Sequence, residues 1–350
     1  MAALPVLLGF DATRLDDDAT PGLFLLTGSA SPASPPTHSG ATRIVGVRMR
    51  PMTLFERGLD SPTVSLRKLL VGGRPAIAGA TSVTLDDYVA AILTGGFPGM
   101  HADGARAQRA LLDSYLARIV DRDFPEAGLS VRNPAALNRW LTAYAVATGT
   151  TATFETIQDA ATAGQRSKPA RSTTASYRDT LERIWIADPI PAWVPTRNHL
   201  RRLTIGPKHH LADPALAAAI LDVDADLLLA GRHGGPTVPR SGTLLGSLFE
   251  SLVALDLRVY AQGAEAAVGH LRTHNGDHEI DFIISGRGRR IVAIEAKLST
   301  TVTDSDVHHL HWLAGQLGDE LMDSVIVTTG RDAYRRADGV AVVPAALLGP

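Results

Sequence analysis

The sequence predicts a multidomain α/β protein built in three pieces, and three observations carry that reading. At 350 residues the chain is long enough for several separate cores. Short apolar runs such as GLFLLTGSA (22–30) and SVIVTT (324–329) read as strands, whereas Leu137, Trp140, Leu141 and Tyr144 recur at helical spacing. The run GRHGGPTVPRSG (231–242) has the composition of a linker and divides the third piece from the second.

Composition removes several classes of function. A net charge of −2 provides no global basic field, so any nucleic-acid surface has to be local. The chain has no Cys, which excludes disulfides, thiolate catalysis and the usual structural zinc sites. The start, MAALPVLLGFD, has no positive n-region. No stretch reaches the roughly 20 apolar residues of a membrane span. The expectation is a cytoplasmic protein with no membrane partner.

The first piece, 1–128, opens on the strand 22–30 and the Pro/Ser/Gly loop SPASPPTHSG. A second apolar run around Ile44, Val45 and Val47 ends at Pro51, and residues 81–93 and 105–120 read as helices separated by the turn GGFPGM. In the second piece, 129–235, Asn133-Pro134 is an N-cap followed by Pro at the first helical position. Helices around 154–163 and 172–186 follow, then a Pro-rich extended segment, an order that predicts a winged-helix module with 172–186 in the recognition position. The third piece, 240–350, reads α-β-β-α-β, a mixed sheet with a helix on each side.

That third piece holds the chemistry. Between HEIDFII and IVAIEAKLS the turn SGRGRR folds the chain back, which brings Asp281 opposite Ile294 or Glu295. Glu295 and Lys297, two apart, leave one face of their strand, and Glu250 on the preceding helix points to the same place. Two or three carboxylates beside an ammonium suit Mg²⁺, with Asp281 and Glu295 as metal ligands, Lys297 activating water and Glu250 in support. The product would be Mg²⁺-dependent phosphodiester hydrolysis of DNA. The plain alternative is an Asp281–Lys297 ion pair at a hairpin end, with Glu295 facing solvent.

These residues also carry a resemblance. Asp281, Glu295-Ala296-Lys297 and Glu250 resemble the PD-(D/E)XK motif of the restriction-endonuclease-like superfamily, with Ile280 where the motif has Pro. The runs GTLLGSLFE, GDHEIDFII and IVAIEAKLS look like a group of bacterial and archaeal AAA-type ATP-binding proteins with a C-terminal domain of unknown function. Within that group GLFLLTGSASP is similar to a sensor strand, RMRPMTLFE, LTGGFPGM and LARIVDRD to the segments after it, and GPKHHLADPALAAAIL to the junction after the winged helix. The resemblance implies a partial AAA-type ATPase lobe at 1–128, a winged-helix domain at 129–235 and a nuclease-like domain at 240–350. It does not imply that the family cuts nucleic acid.

The chain has no G-x-x-x-x-G-K-[ST] phosphate loop, so it is expected to begin inside the ATPase lobe and not to hydrolyse ATP by itself. Thr27, Ser29 and Arg43 are then remnants of nucleotide-sensor positions, and residues 1 to about 80 the least stable part. A regulatory ATPase remains an alternative if an N-terminal segment supplies the phosphate loop.

Basic residues give the DNA reading its second support. Arg166, Lys168, Arg171 and Arg178 lie on or before the helix from Ser172, and Arg201 and Arg202, with Arg197 and Lys208, lie along the wing. The alternative is a solvated helix face and a wing that packs between domains, with Lys208 at the junction, which gives a non-catalytic DNA- or protein-binding scaffold or a homo-oligomer. His308, His309 and His311 lack the spacing of a metal motif and read as helix-surface groups; Trp140, Trp185, Trp193 and Trp312 read as core or interface anchors.

Overall fold

The computed structural model describes residues 45–100, 104–129, 131, 133–164, 170–195, 205–230, 244–273 and 276–350. The expected strand 22–30, the linker 231–242 and the residues Thr27, Ser29, Arg43, Arg166, Lys168, Arg197, Arg201 and Arg202 lie outside the described residues. The protein is α/β, built on a seven-stranded mixed sheet. Among the described residues no helix is long and apolar enough to cross a membrane.

In chain order the elements are β1 (Val64–Ser65), α1 (Leu66–Val71), β2 (Gly79–Ala80), α2 (Leu85–Thr94) and α3 (Ala105–Arg118). Next come α4 (Pro134–Val146), α5 (Phe154–Ala161), α6 (Arg171–Arg183), α7 (Pro214–Ile220), α8 (Ala225–Ala230) and α9 (Leu244–Gly263). The C-terminal part adds β3 (Ala267–Arg272), β4 (Glu279–Ser285), β5 (Ile291–Lys297), α10 (Asp304–Leu317), β6 (Leu321–Thr328), β7 (Asp332–Arg335), β8 (Ala341–Pro344) and β9 (Leu348–Gly349).

The large sheet runs β2-β7-β8-β6-β5-β4-β3. Alternation along β5 explains its two covered faces. Val292 and Ile294 enter the larger core with α9, whereas Ile291 and Ala293 pack with Val307, Leu310 and Leu313 of α10. The turn after β4 closes with Gly286 N donating to Arg290 O at 2.8 Å. It sets the antiparallel register Ser285↔Ile291 and Phe282↔Ile294, whose continuation places Asp281 opposite Glu295.

Residues expected within the 1–128 piece are hydrogen-bonded to C-terminal strands, β2 within the large sheet and β1 in a separate two-stranded sheet. β1 runs parallel to β9 and β2 antiparallel to β7. Leu66 and Leu69 of α1 are fully buried, and Leu54 N donates to Asp256 Oδ1 of α9 at 3.1 Å. The cause is the short amphipathic run LRKLLV, whose leucines need an apolar face and find it over α9, β5 and β6.

The middle of the chain forms a helical unit. Asn133 caps α4 by accepting from Ala136 N at 3.0 Å with Pro134 at the first position, and Leu137, Trp140, Leu141 and Tyr144 are buried as their spacing predicts. Antiparallel bridges Ala187↔Leu211 and Ile190↔Lys208 then make a hairpin stem after α6. The outgoing arm of that stem lies against the edge strand β3. Trp193 N donates to His270 O at 2.6 Å and His270 N to Pro191 O at 3.0 Å. Gly269 permits the approach, since a Cβ there would stand 2.8 Å from that of Trp193. Trp140 and Trp193 are buried anchors, but Trp185 is 37% exposed. It ends α6 in a left-handed conformation (φ 64°) that turns the ring outward, so it is not the core residue its aromatic character predicts.

Candidate functional site

Three elements meet at the acid cluster. Glu250 comes from α9, Glu279 and Asp281 from alternate positions of β4, and Glu295 and Lys297 from alternate positions of β5. The sheet register brings Asp281 to the Glu295 strand, where Ala296 N donates to Asp281 Oδ2 at 3.0 Å. Sequence spacing therefore places Glu250, Asp281, Glu295 and Lys297 near one another correctly.

The centre of the cluster holds a residue from elsewhere. Lys208, on the returning arm of the hairpin, exchanges both backbone hydrogen bonds with Ile190, at 2.8 and 2.9 Å. Its side chain, 2% exposed, ends 2.7 Å from Asp281 Oδ1, 2.8 Å from Glu250 Oε1 and 3.6 Å from Glu279 Oε1. An ammonium has three donors, and here three carboxylates face it. The Asp281–Lys297 pair of the plain alternative is not formed as a contact. Lys297 Nζ lies 3.0 Å from Glu295 Oε2, and Glu295, expected in that alternative to face solvent, is buried.

Electrostatics follow from this geometry. Burial works against a charged Lys208, but Asp281, Glu250 and Glu279 outweigh it and hold the ammonium above its ordinary pKa. Burial also works against an ionised Asp281, and Lys208 and Lys297 reverse that, so its carboxyl lies below the usual range. Glu250 is pushed up to about 8 by burial and by Asp281 and Glu279, against Lys208. Glu295 likewise rises to about 8, through burial and Asp281. Burial thus favours the neutral form of Glu250 and Glu295, while Asp281 is held ionised by Lys208 and Lys297.

Buried atoms of the cluster without a hydrogen-bond partner among the described residues include Glu295 Oε1, Glu250 Oε1, which meets Lys208 as an ion pair at 2.8 Å, and both nitrogens of the His210 ring, whose Nε2 lies 3.7 Å from Glu250 Oε1. Burial, with Arg258 and Lys208 nearby, keeps His210 well below its ordinary pKa and hence neutral.

The basic residues are distributed differently from their expected pattern. The Arg171 side chain is 82% exposed, with Glu155 3.8 Å away. Arg178, on the same helix, is held by Asp179 at 2.6 Å, lies 3.9 Å from Glu182 and covers the Phe154 ring at 4.7 Å. Arg183 donates to Ala127 O. The helix therefore presents one exposed guanidinium among its described arginines, Arg171, itself loosely paired with Glu155, and Lys208, counted with the wing, points into the protein. Near the cluster His278 stacks on Trp312 at 4.0 Å and its Nδ1 lies 3.2 Å from His309 Nδ1, while His308 bonds Ser305 O. Among the described residues no group of three or more His, Cys, Asp or Glu is arranged to hold a metal ion.

Sequence reasoning missed Glu279 and His210 as members of the site and gave Lys208 the wrong neighbours. Glu279 had a signal, its two-residue spacing from Asp281. Lys208 had only its lone charge within GPKHHLADP, which identifies a junction without saying what it joins.

Two family descriptions match the chain. Residues 85–227 match a family described as a domain of unknown function (DUF8612), and residues 245–348 match another described as a domain of unknown function (DUF4143). The second occurs in AAA-ATPase-associated proteins. No curated protein and no solved structure matches.

Proposed function

We propose that this chain is a non-catalytic scaffold of an AAA-type ATP-binding protein group, with a nuclease-like C-terminal frame and a docked winged-helix-like unit. The observation that carries the reading is Lys208, which fills the focus of Glu250, Glu279 and Asp281 where a nuclease would hold Mg²⁺. As folded, the acids offer little to a divalent ion, because Asp281 Oδ1, Glu250 Oε1 and Glu279 Oε1 face Lys208, Glu295 Oε2 faces Lys297 and Asp281 Oδ2 accepts from Ala296 N. The wing-like hairpin is spent on the sheet as well, through β3 and through Lys208. With Arg178 and Arg183 engaged internally, a protein partner is favoured over DNA, and ATP hydrolysis is not assigned to this polypeptide.

A second reading, Mg²⁺-dependent phosphodiester hydrolysis, is favoured by one observation. Glu295 Oε1 is buried and unpaired beside Lys297, a free acceptor near an ammonium. One experiment separates the two. The full chain is incubated with supercoiled and single-stranded DNA in Mg²⁺ and in Mn²⁺, with Asp281→Ala alongside. The scaffold reading expects no cleavage above that of the variant. Metal-dependent nicking that Asp281→Ala abolishes would overturn it in favour of the nuclease. In the same samples, DNA affinity at low salt should stay weak, because the described cations of α6 and the hairpin, Arg171, Arg178, Arg183 and Lys208, already have partners within the protein.

A further inference from the structure

Away from the acid cluster, a second group of buried charges has the opposite sign. Residues 45–50 form no regular element, and Arg48 and Arg50 are partly buried while Val45, Val47 and Met49 are 88%, 69% and 86% exposed. Both arginines reach Asp188, just beyond α6. Arg48 Nη1 lies 2.7 Å from Asp188 Oδ1 and Arg50 Nε 3.0 Å from Oδ2. Arg258 of α9, 8% exposed, places its Nη1 on the same Oδ2. Gln262 fixes the segment, accepting from Arg50 Nη1 at 3.2 Å and donating to Arg48 O at 3.1 Å.

Among the described residues the charges do not balance. Three guanidinium groups face one carboxylate, which leaves two positive charges in a largely buried place. Glu182, on α6 before Asp188, lies 3.9 Å from Arg178 and makes no ion pair with this group among the described residues. Arg48 Nε is buried with no hydrogen-bond partner among the described residues. Its guanidinium carbon stands 4.3 Å from the centroid of the exposed Trp185 ring, so the outer side of the cluster adjoins solvent. Burial lowers Arg258 to about 10, and Arg50 and Arg48 act in the same direction against Asp188, as expected of cations short of counter-charge.

We propose that Arg48, Arg50 and Arg258 form a binding site for a phosphate dianion, either inorganic phosphate or a phosphate monoester. A dianion matches the excess charge. A tetrahedral group also suits donors that arrive from two separate segments, the 45–50 run and α9, whereas the planar carboxylate position is already taken by Asp188. The site is independent of the Lys208 cluster and of the scaffold reading.

The test is calorimetric titration of the full chain with inorganic phosphate at pH 8, with ionic strength held constant by NaCl. Arg48→Gln and Arg50→Gln, checked for retained circular dichroism, are measured beside the wild type. A nucleoside monophosphate and a single-stranded oligonucleotide without terminal phosphate form two further arms. The proposal expects saturable phosphate binding, comparable binding of the nucleoside monophosphate, and about tenfold or greater loss in each variant. Absence of saturable binding to the wild type overturns it, and so does binding that both variants retain. Oligonucleotide binding as tight per phosphate as the dianion's overturns the choice of a dianion. If the nucleoside monophosphate binds and inorganic phosphate does not, the occupant is recognised beyond its phosphoryl group and the site as proposed here fails.

Discussion

Replacing Lys208 by methionine is expected to cost about 3–5 kcal/mol of stability, a fall of roughly 10 °C in melting temperature. Methionine keeps the length of the side chain, so the loss comes from charge. Asp281, Glu279 and Glu250 would face one another in a buried site without the ammonium that now lies 2.7–3.6 Å from each. The loss should shrink at pH 5, where protonation of the acids replaces the missing cation, and grow at pH 8. Adding Asp281→Asn to Lys208→Met should recover part of it, because a neutral amide removes the carboxylate most dependent on Lys208. Chemical denaturation of the wild type, Lys208→Met, Asp281→Asn and the double variant at both pH values measures this. A loss below about 1 kcal/mol that is the same at both pH values would mean that Lys208 is not the counter-ion of the cluster.

The second large effect is the pH profile of the unmodified protein. Glu250, Glu295 and Asp256 each sit at about 8 in the folded chain, burial being the first cause in all three. Each keeps its proton on folding, so its contribution is full below the unfolded-state value of about 4 and is lost as pH rises towards 8. His209, His210 and His270 act with the opposite sign. Burial lowers all three, so the stability they contribute is full above about 6.5 and lost as pH falls. Between pH 4.5 and 6.5 the two sets oppose each other, and above 6.5 the acids act alone. Denaturation midpoints should therefore hold roughly level up to pH 6.5 and then fall by several kcal/mol in total by pH 8 to 9. Lys208, held above its ordinary value, and Asp281, held below, add no slope in that window. A midpoint that rises steadily from pH 6.5 to 9 would show that these carboxyls are ionised in the folded state.

Local patterns were legible where local physics decides. The helical spacing of Leu137, Trp140, Leu141 and Tyr144, with Asn133-Pro134 before it, gave α4. The turn after Ser285 gave a register that puts Asp281 across from Ile294 or Glu295, of which the structure has Glu295, and the two-residue spacings gave the shared faces. Non-local pairings were not legible. Gly269 and His270 interrupt the apolar run of β3, and both exist for the hairpin arm that docks there, which nothing in AVGHLR announces. β1 and β2 are two residues each and take their partners from the far end of the chain, so they have no periodicity to read. The cluster itself was half legible. Its acids share one sheet and its helix, while the cation that neutralises them comes from a hairpin 73 residues before Asp281. Charge alone does not say whether a lysine in a basic run faces a phosphate backbone or a carboxylate.

The most direct test of the central claim, that an ammonium occupies the cation seat of the acid cluster, is a Mn²⁺ titration of the full chain by calorimetry at pH 7.5. The account predicts no saturable heat up to about millimolar metal, since binding at Glu250 and Asp281 would have to expel a buried ammonium from both. One-to-one binding that disappears in Asp281→Ala would contradict it, and would show that Lys208 yields its place to a metal ion.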